Sequence, residues 1–299
     1  MLQQYDTRND NLLIYIDGQL YPRQEAKVSV FDSVVQGGDA VWEGLRVYNG
    51  RIFSLGEHLE RLQNSAHAMA FQGVPSNAAI RQALFETLKA NGMRDETHIR
   101  LTLTRGRKIT SGMDPRLNQF GPTLIIVPEW KPPVYPPEIT LATSSVRRNS
   151  PMSLDSKIHH NNLINNILAK IEANHAGADA GLMLDKDGFV SEANGVNVFC
   201  IRQGAVYTPH ADSCLPGITR QHVIGLCREQ GIPIVEKNLS LTEFYTADQV
   251  FTTGTMGELT KVAAIDGRAI RNRMDEDLLE QIKGYFRAMT QSGGEPLPF

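Results

Sequence analysis

The chain has little cysteine, no long apolar run and no excess of positive charge, and each shortage excludes a class of protein. Its three cysteines (Cys200, Cys214 and Cys227) form no CxxC pair, and the neighbouring His159 and His160 lack a third ligand at matching spacing, so neither a disulfide framework nor a metal site is indicated. No apolar run approaches the ~18–20 residues of a membrane span, and the N-terminus lacks the apolar stretch of a signal peptide. The formal net charge of -3 provides no basic surface for nucleic acid. We therefore expect a cytoplasmic protein that binds no metal, membrane or nucleic acid.

A proline-dense stretch divides the chain into two parts. Five of the 15 prolines fall within residues 128–137, where fixed φ angles and missing N–H donors favour stiff, extended backbone. We predict a small N-terminal domain over residues 1–130, a linker over 131–137 and a larger C-terminal domain over 138–299. Both parts have sizes that are typical of single domains.

The apolar pattern predicts an α/β protein whose N-terminal domain is of the α+β type. Two hairpins are expected at Asp17-Gly18 and Asn49-Gly50, because these dipeptides favour two-residue turns. Leucines at helical spacing follow residue 55, a second helix follows a Ser76 cap, and two later apolar runs complete a sheet.

The C-terminal domain is expected to be a mixed, barrel-like sheet covered by helices. Apolar residues between Leu163 and Ile171 recur at the spacing of an amphipathic helix. Further strands flank a turn at Asp187-Gly188. The order of the strands does not follow from these patterns.

Two segments of the C-terminal domain have the character of anion sites. In Leu215–Arg220 a Pro-Gly turn precedes a helix, so the N–H groups of Ile218 and Thr219 point out of a helix N-terminus beside a hydroxyl; a helix start with a threonine cap is the alternative. In Thr252–Glu258 glycines and hydroxyls follow a strand, which lets backbone amides approach a ligand. An ordinary turn is the alternative there.

Three charged side chains outside these segments are candidates for chemistry. Lys157 precedes a helix and follows Arg147-Arg148, so it is either an amine nucleophile or a solvated lysine. Glu192 lies between two strands, where a buried carboxylate would need a cationic or N–H partner, and a surface turn is the default interpretation. Arg61 fits a charged helix face paired with Glu57.

The order of these segments along the chain is more specific than any one of them. HLERL is followed by Ser-x-Lys before a helix ending in LAKIEA, then by SEANGVNVF, LPGITR and TTGTMGELTKV. This order, from about residue 14 to the final helix, resembles the fold-type IV enzymes that use pyridoxal 5′-phosphate (PLP). They include branched-chain and D-amino acid aminotransferases and aminodeoxychorismate lyase. The resemblance implies a two-domain fold, a homodimer and ping-pong transamination between an amino acid and a 2-oxo acid.

The resemblance also implies a role for each matching residue. Lys157 corresponds to the lysine that holds PLP as a Schiff base and later moves the proton at the substrate Cα. Glu192 corresponds to the carboxylate that faces the pyridine nitrogen, and Arg61 to an arginine that binds the phosphate. The other implied cofactor-binding residues are Leu215, Gly217, Ile218, Thr219, Gly254 and Thr255.

The residues expected to contact substrate resemble branched-chain aminotransferases at some positions and D-amino acid aminotransferases at others. Trp42–Arg46 resembles the FEGIR run of branched-chain enzymes, but His98-Ile-Arg100 replaces their Tyr-x-Arg strand, and two of their tyrosines are replaced by Gly37 and Asn162. Arg105 lies in a run that resembles the VTRG of D-amino acid aminotransferases, where the arginine binds substrate carboxylate; a surface arginine is the alternative. The expected substrate-binding residues are Gly37, His98, Arg100, Arg105, Thr255 and Met256.

These residues favour an enzyme that acts on branched-chain-like L-amino acids with 2-oxoglutarate. A D-amino acid or (R)-amine aminotransferase is the alternative within the same reaction class. PLP lyase chemistry with the same Lys157 is a second alternative, and a binding module that has lost PLP is the non-enzymatic one.

Overall fold

In the computed structural model, which describes residues 5–132, 134–271 and 277–299, the chain forms two compact units. The N-terminal unit contains residues 5–132, 158–162 and 290–299, and the C-terminal unit contains residues 134–157, 163–271 and 277–289. Two later segments thus return to the N-terminal unit, which a single boundary at 131–137 does not anticipate. Pro133 of the predicted linker lies outside the described residues.

Sixteen strands and seven α-helices are found in the described part of the chain. In chain order these are β1 (Leu13–Ile16), β2 (Gln19–Pro22), α1 (Ser33–Gly37), β3 (Ala40–Tyr48), β4 (Arg51–Ile52), α2 (Leu55–Ala68), α3 (Asn77–Asn91), β5 (Thr97–Thr104), β6 (Thr123–Trp130), β7 (Glu138–Thr143), α4 (Ile164–His175), β8 (Ala180–Leu184), β9 (Val190–Ala193), β10 (Asn197–Arg202), β11 (Ala205–Thr208), α5 (Ile218–Glu229), β12 (Ile234–Glu236), α6 (Leu241–Tyr245), β13 (Gln249–Gly254), β14 (Glu258–Ile265), β15 (Arg268–Ala269), α7 (Leu278–Ser292) and β16 (Glu295–Pro296).

The N-terminal unit is built on a seven-stranded antiparallel sheet. Its strand order is β16-β4-β3-β5-β6-β1-β2, with β3 and β5 paired along eight residues from Ala40↔Thr104 to Val47↔Thr97. Side chains alternate between the two faces of each strand. One face buries Val41, Leu45, Ile99 and Leu101 in a core that also contains the leucines of α2. The other face of β3 and β5 carries polar and aromatic residues.

Both predicted hairpin turns are confirmed. Asp17 and Gly18 have φ angles of 45° and 90°, and Asn49 and Gly50 have φ angles of 48° and 74°. These left-handed conformations are the ones that a two-residue turn requires. The turns set β1 against β2 and β3 against β4 in antiparallel register.

The C-terminal unit contains a nine-stranded sheet with both parallel and antiparallel pairs, as the sequence predicts. Its order is β12-β11-β10-β13-β14-β7-β8-β9, with β15 beside β14. β7 runs parallel to both β14 and β8, and β11 runs parallel to β12. Residues such as Leu182, Val198, Phe244 and Val250 form a buried core with this sheet.

Helix α4 forms where the apolar spacing predicts it, but its buried face is not the one that carries the large apolar residues. The buried positions are Ala169 and Ala173. The helix backbone approaches β8 so closely that a Cβ on Gly181 would lie 2.5 Å from the Ala169 carbonyl oxygen. Four large side chains are instead 43–64% exposed: Ile164, Ile167, Leu168 and Ile171.

Two kinds of feature are absent from the described residues. None of their helices is long and apolar enough to cross a membrane. None of their His, Cys, Asp and Glu side chains lie in groups of three that could hold a metal ion.

Candidate active site

A single loop of the C-terminal unit, His210–Gly217, contacts two of the predicted catalytic side chains. The Lys157 amine donates to the Asp212 carbonyl oxygen at 3.3 Å. The Leu215 N–H lies 3.4 Å from a carboxylate oxygen of Glu192. The lysine amine and the acidic side chain, far apart in sequence, therefore both contact the 210–217 loop.

Glu192 is buried in β9 and has the partners that a buried carboxylate needs. Arg148 Nε donates to Glu192 Oε1 at 2.6 Å, and Asn197 Nδ2 donates to Oε2 at 3.2 Å. Burial raises the pKa of Glu192, and the Arg148 guanidinium opposes that rise. The surface-turn interpretation of Glu192 is therefore wrong, because only 4% of the residue is exposed.

Arg148 is fixed on its other side as well. Its Nη1 donates to Asn165 Oδ1 at 3.2 Å, and its backbone N–H donates to the Leu184 carbonyl oxygen at 2.8 Å. A guanidinium held at two ends gives the Glu192 carboxylate a fixed orientation. The sequence indicates Arg148 only as a residue upstream of Lys157 and does not predict that it pairs with Glu192.

Cys214 lies in the middle of the 210–217 loop, and the pKa of its thiol is influenced by several charged side chains. Burial raises its pKa to about 12, and the Glu192 carboxylate contributes in the same direction. The cationic Arg220, Arg148 and Lys157 act in the opposite direction. One acidic and three basic side chains thus lie close enough to this thiol to influence it electrostatically.

The start of α5 is open, as an anion site requires. Its N-cap is Gly217, and no side chain caps the first turn, so the N–H groups of Ile218 and Thr219 are not used by a cap. The alternative of a threonine cap is therefore wrong. A Cβ on residue 217 would lie 2.1 Å from Asn197 Oδ1, so only glycine lets this turn approach β10 so closely.

The two predicted anion segments, Leu215–Arg220 and Thr252–Glu258, both contact Asn197 of β10. Thr253 of β13 pairs with Asn197 of β10, and Asn197 also donates to the Leu215 carbonyl oxygen at 2.9 Å. Gly254 ends β13, and a Cβ there would lie 2.9 Å from Val196 Cγ1. The Thr253 hydroxyl is buried without a hydrogen-bond partner in the described structure, and Thr255 and Met256 follow in the turn.

Arg61, in the N-terminal unit, is part of a buried cluster around Glu43 of β3. The guanidinium donates to the Glu43 carboxylate at 2.8 and 2.6 Å. His58 and His159 place their Nδ1 atoms 2.7 and 3.1 Å from the same carboxylate. Burial opposes ionisation of Glu43, but His159 and Arg61 outweigh it and hold the pKa of Glu43 well below its usual range.

Two of the four expected substrate-binding residues of the N-terminal unit lie on its sheet. His98 and Arg100 are two positions apart on β5, and the Arg100 guanidinium lies 4.0 Å from the centre of the Trp42 ring while donating to Asn161 Oδ1 at 2.7 Å. Burial lowers the pKa of Arg100. Gly37 ends the short helix α1.

Arg105 is engaged within the chain. It donates to both carboxylate oxygens of Asp39, at 2.6 and 3.1 Å, and to the carbonyl oxygens of Met69 and Ala70. Its guanidinium also lies over the Phe71 ring at 4.4 Å. Four of the five N–H donors of an arginine are therefore used, and the carboxylate that Arg105 binds in this structure is that of Asp39.

The matches to known proteins agree with the fold. The family described as amino-transferase class IV matches residues 40–265, so the chain belongs to the class IV aminotransferases, the fold-type IV PLP family that the motifs resemble. The chain is 55% identical over 97% of its length to the branched-chain-amino-acid aminotransferase-like protein 2 of Arabidopsis thaliana, but it spans about half (52%) of that relative.

Two further proteins match along nearly their whole length. A putative branched-chain-amino-acid aminotransferase of Methanocaldococcus jannaschii is 39% identical, with 94% of this chain and 97% of the relative covered. A solved branched-chain amino acid aminotransferase from Escherichia coli has a TM-score of 0.89 at 28% identity, with 95% of this chain and 96% of that chain covered.

Proposed function

We propose that this protein is a PLP-dependent aminotransferase that exchanges amino groups between branched-chain-like L-amino acids and 2-oxoglutarate. The observation that carries the proposal is that Lys157 and the Glu192–Arg148 pair contact the loop that leads into the open start of α5. The relative from Methanocaldococcus jannaschii and the solved structure from Escherichia coli are named as branched-chain aminotransferases, and these names support the same choice of substrate.

The C-terminal unit fits PLP in the kind of groups it provides. When bound, PLP supplies an aromatic ring that accepts the electron pair left when the Cα proton departs. The uncapped N–H groups of Ile218 and Thr219 would bind the phosphate, and Gly254 and Thr255 would contribute further amides and a hydroxyl. Leu215 would pack against the ring, and Arg61 is proposed as a further phosphate ligand.

Two side chains would carry the chemistry around that ring. Lys157 would hold the cofactor covalently through its amine, and once displaced by substrate it would take the Cα proton and return it. The ionised Glu192 would keep the ring nitrogen protonated by its negative charge, and Arg148 would hold that carboxylate ionised in a buried position.

Substrate choice is proposed to depend on the polar face of the N-terminal sheet. Gly37, His98 and Arg100 are the candidate substrate residues there, together with Thr255 and Met256 of the C-terminal unit. The bonds that Arg105 makes to Asp39 favour the L-amino acid proposal, because the D-amino acid alternative relies on Arg105 to bind substrate carboxylate.

A half-reaction panel tests the proposed function. The purified protein, reconstituted with PLP, is mixed with L-leucine, L-glutamate, D-alanine, D-glutamate or (R)-phenylethylamine, and conversion of PLP to pyridoxamine phosphate is followed by absorbance. We expect fast conversion with the two L-amino acids only. Faster conversion with a D-amino acid or the amine would contradict the substrate proposal. Pyruvate release without an amino acceptor would indicate a lyase, and no yellow absorbance would indicate a binding module.

We further propose that the protein is a homodimer, because α4 exposes four large apolar side chains on one helix. Ile167 is 54% exposed, and replacing it with Asp would place a charge in that surface. The mass measured by light scattering should then shift from twice the chain mass of 33.2 kDa towards the mass of a single chain. Asn174→Asp, on an exposed polar position of the same helix, is the matched control. A monomeric wild-type protein, or an unchanged Ile167→Asp dimer, would count against this surface.

A further inference from the structure

Arg220, in the first turn of α5, is a buried cation to which the candidate active site assigns no role. Only 1% of the residue is exposed. Its Nη2 atom donates to the Pro209 carbonyl oxygen at 2.9 Å and to Glu236 Oε2, on β12, at 2.7 Å. Within the described residues, its Nε and Nη1 atoms have no hydrogen-bond partner. One nitrogen of the guanidinium therefore makes both of these contacts.

The contacts of Arg220 are a weak source of stability for the fold itself. Removing a guanidinium from water is costly, and each buried donor without a partner adds to that cost. The side chain of its carboxylate partner, Glu236, is 35% exposed, so water weakens the ion pair. An apolar side chain of similar size often serves a fold equally well. A role in placing other groups explains the buried arginine better.

The bond to Pro209 ties the beginning of the 210–217 loop to the helix at which that loop ends. Pro209 directly precedes the loop, and Gly217, the last residue of the loop, is the N-cap of α5. Arg220 follows three residues later, and its side chain returns to the Pro209 carbonyl oxygen. Both ends of the loop are therefore held by the first turn of α5.

The loop contacts the candidate active site through backbone atoms. The Asp212 carbonyl oxygen accepts from the Lys157 amine at 3.3 Å. The Leu215 N–H lies 3.4 Å from a carboxylate oxygen of Glu192, and the Leu215 carbonyl oxygen accepts from Asn197 at 2.9 Å. A change of side-chain rotamer cannot move backbone atoms, so their positions depend on the path of the loop. A displaced loop would move the partners of Lys157 and Glu192 together.

The charge of Arg220 also acts on the loop and on the site. Burial raises the pKa of the Cys214 thiol, in the middle of the loop, and Arg220 is the largest of the cationic influences that oppose this rise. Burial likewise raises the pKa of Glu192, and there Arg148 opposes the rise more strongly than Arg220 does. Arg148 bonds directly to Glu192. Arg220 is therefore nearer to the loop than to the carboxylate.

We propose that Arg220 is a positioning residue that holds the 210–217 loop in the shape that binds PLP, through its bonds to Pro209 and Glu236. This inference rests on the proposed function for the identity of the cofactor. It assigns Arg220 no contact with cofactor or substrate. The effect of removing the guanidinium should therefore appear in cofactor affinity and in the exchange of the loop amides.

Cofactor affinity tests the proposal on the full chain. Arg220→Met keeps an apolar side chain of similar length but cannot donate to Pro209 or Glu236. We expect the dissociation constant of PLP, measured by absorbance titration of the cofactor-free protein, to rise about tenfold or more, since binding must then order the loop.

Arg228→Met is the matched control. Arg228 is on the same helix and lies 3.8 Å from Glu236, but its side chain is 67% exposed. Its dissociation constant for PLP should stay within about twofold of the wild type, as expected for a surface ion pair. If Arg220→Met does not fold, Arg220→Lys replaces it. The lysine keeps the charge, but its side chain is one bond shorter, so it should raise the dissociation constant by at least about threefold.

Two further readouts separate positioning from general stability. A purely structural role would lower the melting temperature equally with and without PLP, whereas weaker binding reduces the rise in melting temperature that PLP produces. Hydrogen exchange of the cofactor-free protein, followed by mass spectrometry, should be faster in peptides that cover residues 210–217 in Arg220→Met than in the wild type or Arg228→Met. Peptides from β5, in the N-terminal unit, should be unchanged.

Each result supports or overturns the proposal. If Arg220→Met binds PLP within about twofold of the wild type, Arg220 serves only the fold and the proposal is wrong. Weaker binding with unchanged exchange of the loop would mean that Arg220 acts on PLP directly, which also overturns it. A wild-type protein that binds no PLP would overturn the proposed function instead, and the exchange of the cofactor-free variants would still show whether Arg220 holds the loop.

Discussion

Replacing Lys157 with Ala should abolish amino transfer and leave the fold intact. The side chain is 45% exposed, and its amine makes a hydrogen bond to the Asp212 carbonyl oxygen, so little packing is lost and the melting temperature should change by about 2 °C or less. The rate should fall by roughly 10⁴-fold or more, because the same amine is proposed both to hold the cofactor and to move the Cα proton. Single-turnover conversion of L-leucine measures this loss.

The matched control for this change is Lys186→Ala. Lys186 is exposed and is paired with Asp187 at the turn between β8 and β9. Its loss should leave the rate within about twofold of the wild type, as expected for a surface ion pair. If Lys157→Ala retains turnover within tenfold of the wild type, the assignment of the catalytic lysine is wrong.

Local chemistry explains which parts of the fold could be predicted from the sequence. The turns at Asp17-Gly18 and Asn49-Gly50 depend on residues that tolerate positive φ, so they were predicted and are confirmed. The Ser76 cap of α3 is also confirmed, since its hydroxyl accepts from the Ala79 N–H at 3.3 Å. These signals involve neighbours in the chain and need no knowledge of the rest of the molecule.

Helix α4 shows where the local pattern is insufficient. The spacing of Ile164, Ile167 and Ile171 predicts a helix with an apolar face, and the helix is present. However, the residue that packs against β8 is the small Ala169. The helix can approach the strand this closely because Gly181 has no side chain. Periodicity identifies a helix but cannot tell whether large side chains face the core of the same chain or another surface.

Long-range pairs are the other part that the sequence could not supply. Arg148 and Glu192 are 44 residues apart, and the Arg61–Glu43 pair joins α2 to β3. The sequence could state that a buried Glu192 needs a cation, but not which of many would reach it. The segment 158–162, which places His159 against Glu43, likewise depends on the path of the whole chain.

The Arg148–Glu192 pair gives the second large effect. Arg148→Met would leave a buried carboxylate without its cation, so the free energy of unfolding should fall by about 3–5 kcal/mol. Glu192→Gln should keep PLP bound but slow Cα deprotonation on the order of 10²-fold, because Glu192 is proposed to favour a protonated ring nitrogen and a neutral amide would not. Chemical denaturation measures the first effect, and the half-reaction rate with L-leucine measures the second.

The raised pKa of Glu192 also predicts how the stability of the folded protein depends on pH. Burial raises the pKa of Glu192 in the folded protein, so the folded state binds more protons than the unfolded state above pH ~4.3. Stability therefore falls as pH rises from that value through the folded pKa, and removing Arg148 should raise that pKa further and extend the fall to higher pH. Arg148→Met should be less destabilised at pH 5 than at pH 8.

The double variant Arg148→Met with Glu192→Gln completes the test. Removing both charges should restore much of the stability, since no unpaired buried ion remains, with a coupling free energy of about 0.5–3 kcal/mol. The half-reaction should nevertheless stay slow, because the carboxylate proposed to face the ring nitrogen is absent. A double variant that recovers the rate together with the stability would show that Arg148 and Glu192 only hold β9 in place, and that neither acts on the cofactor.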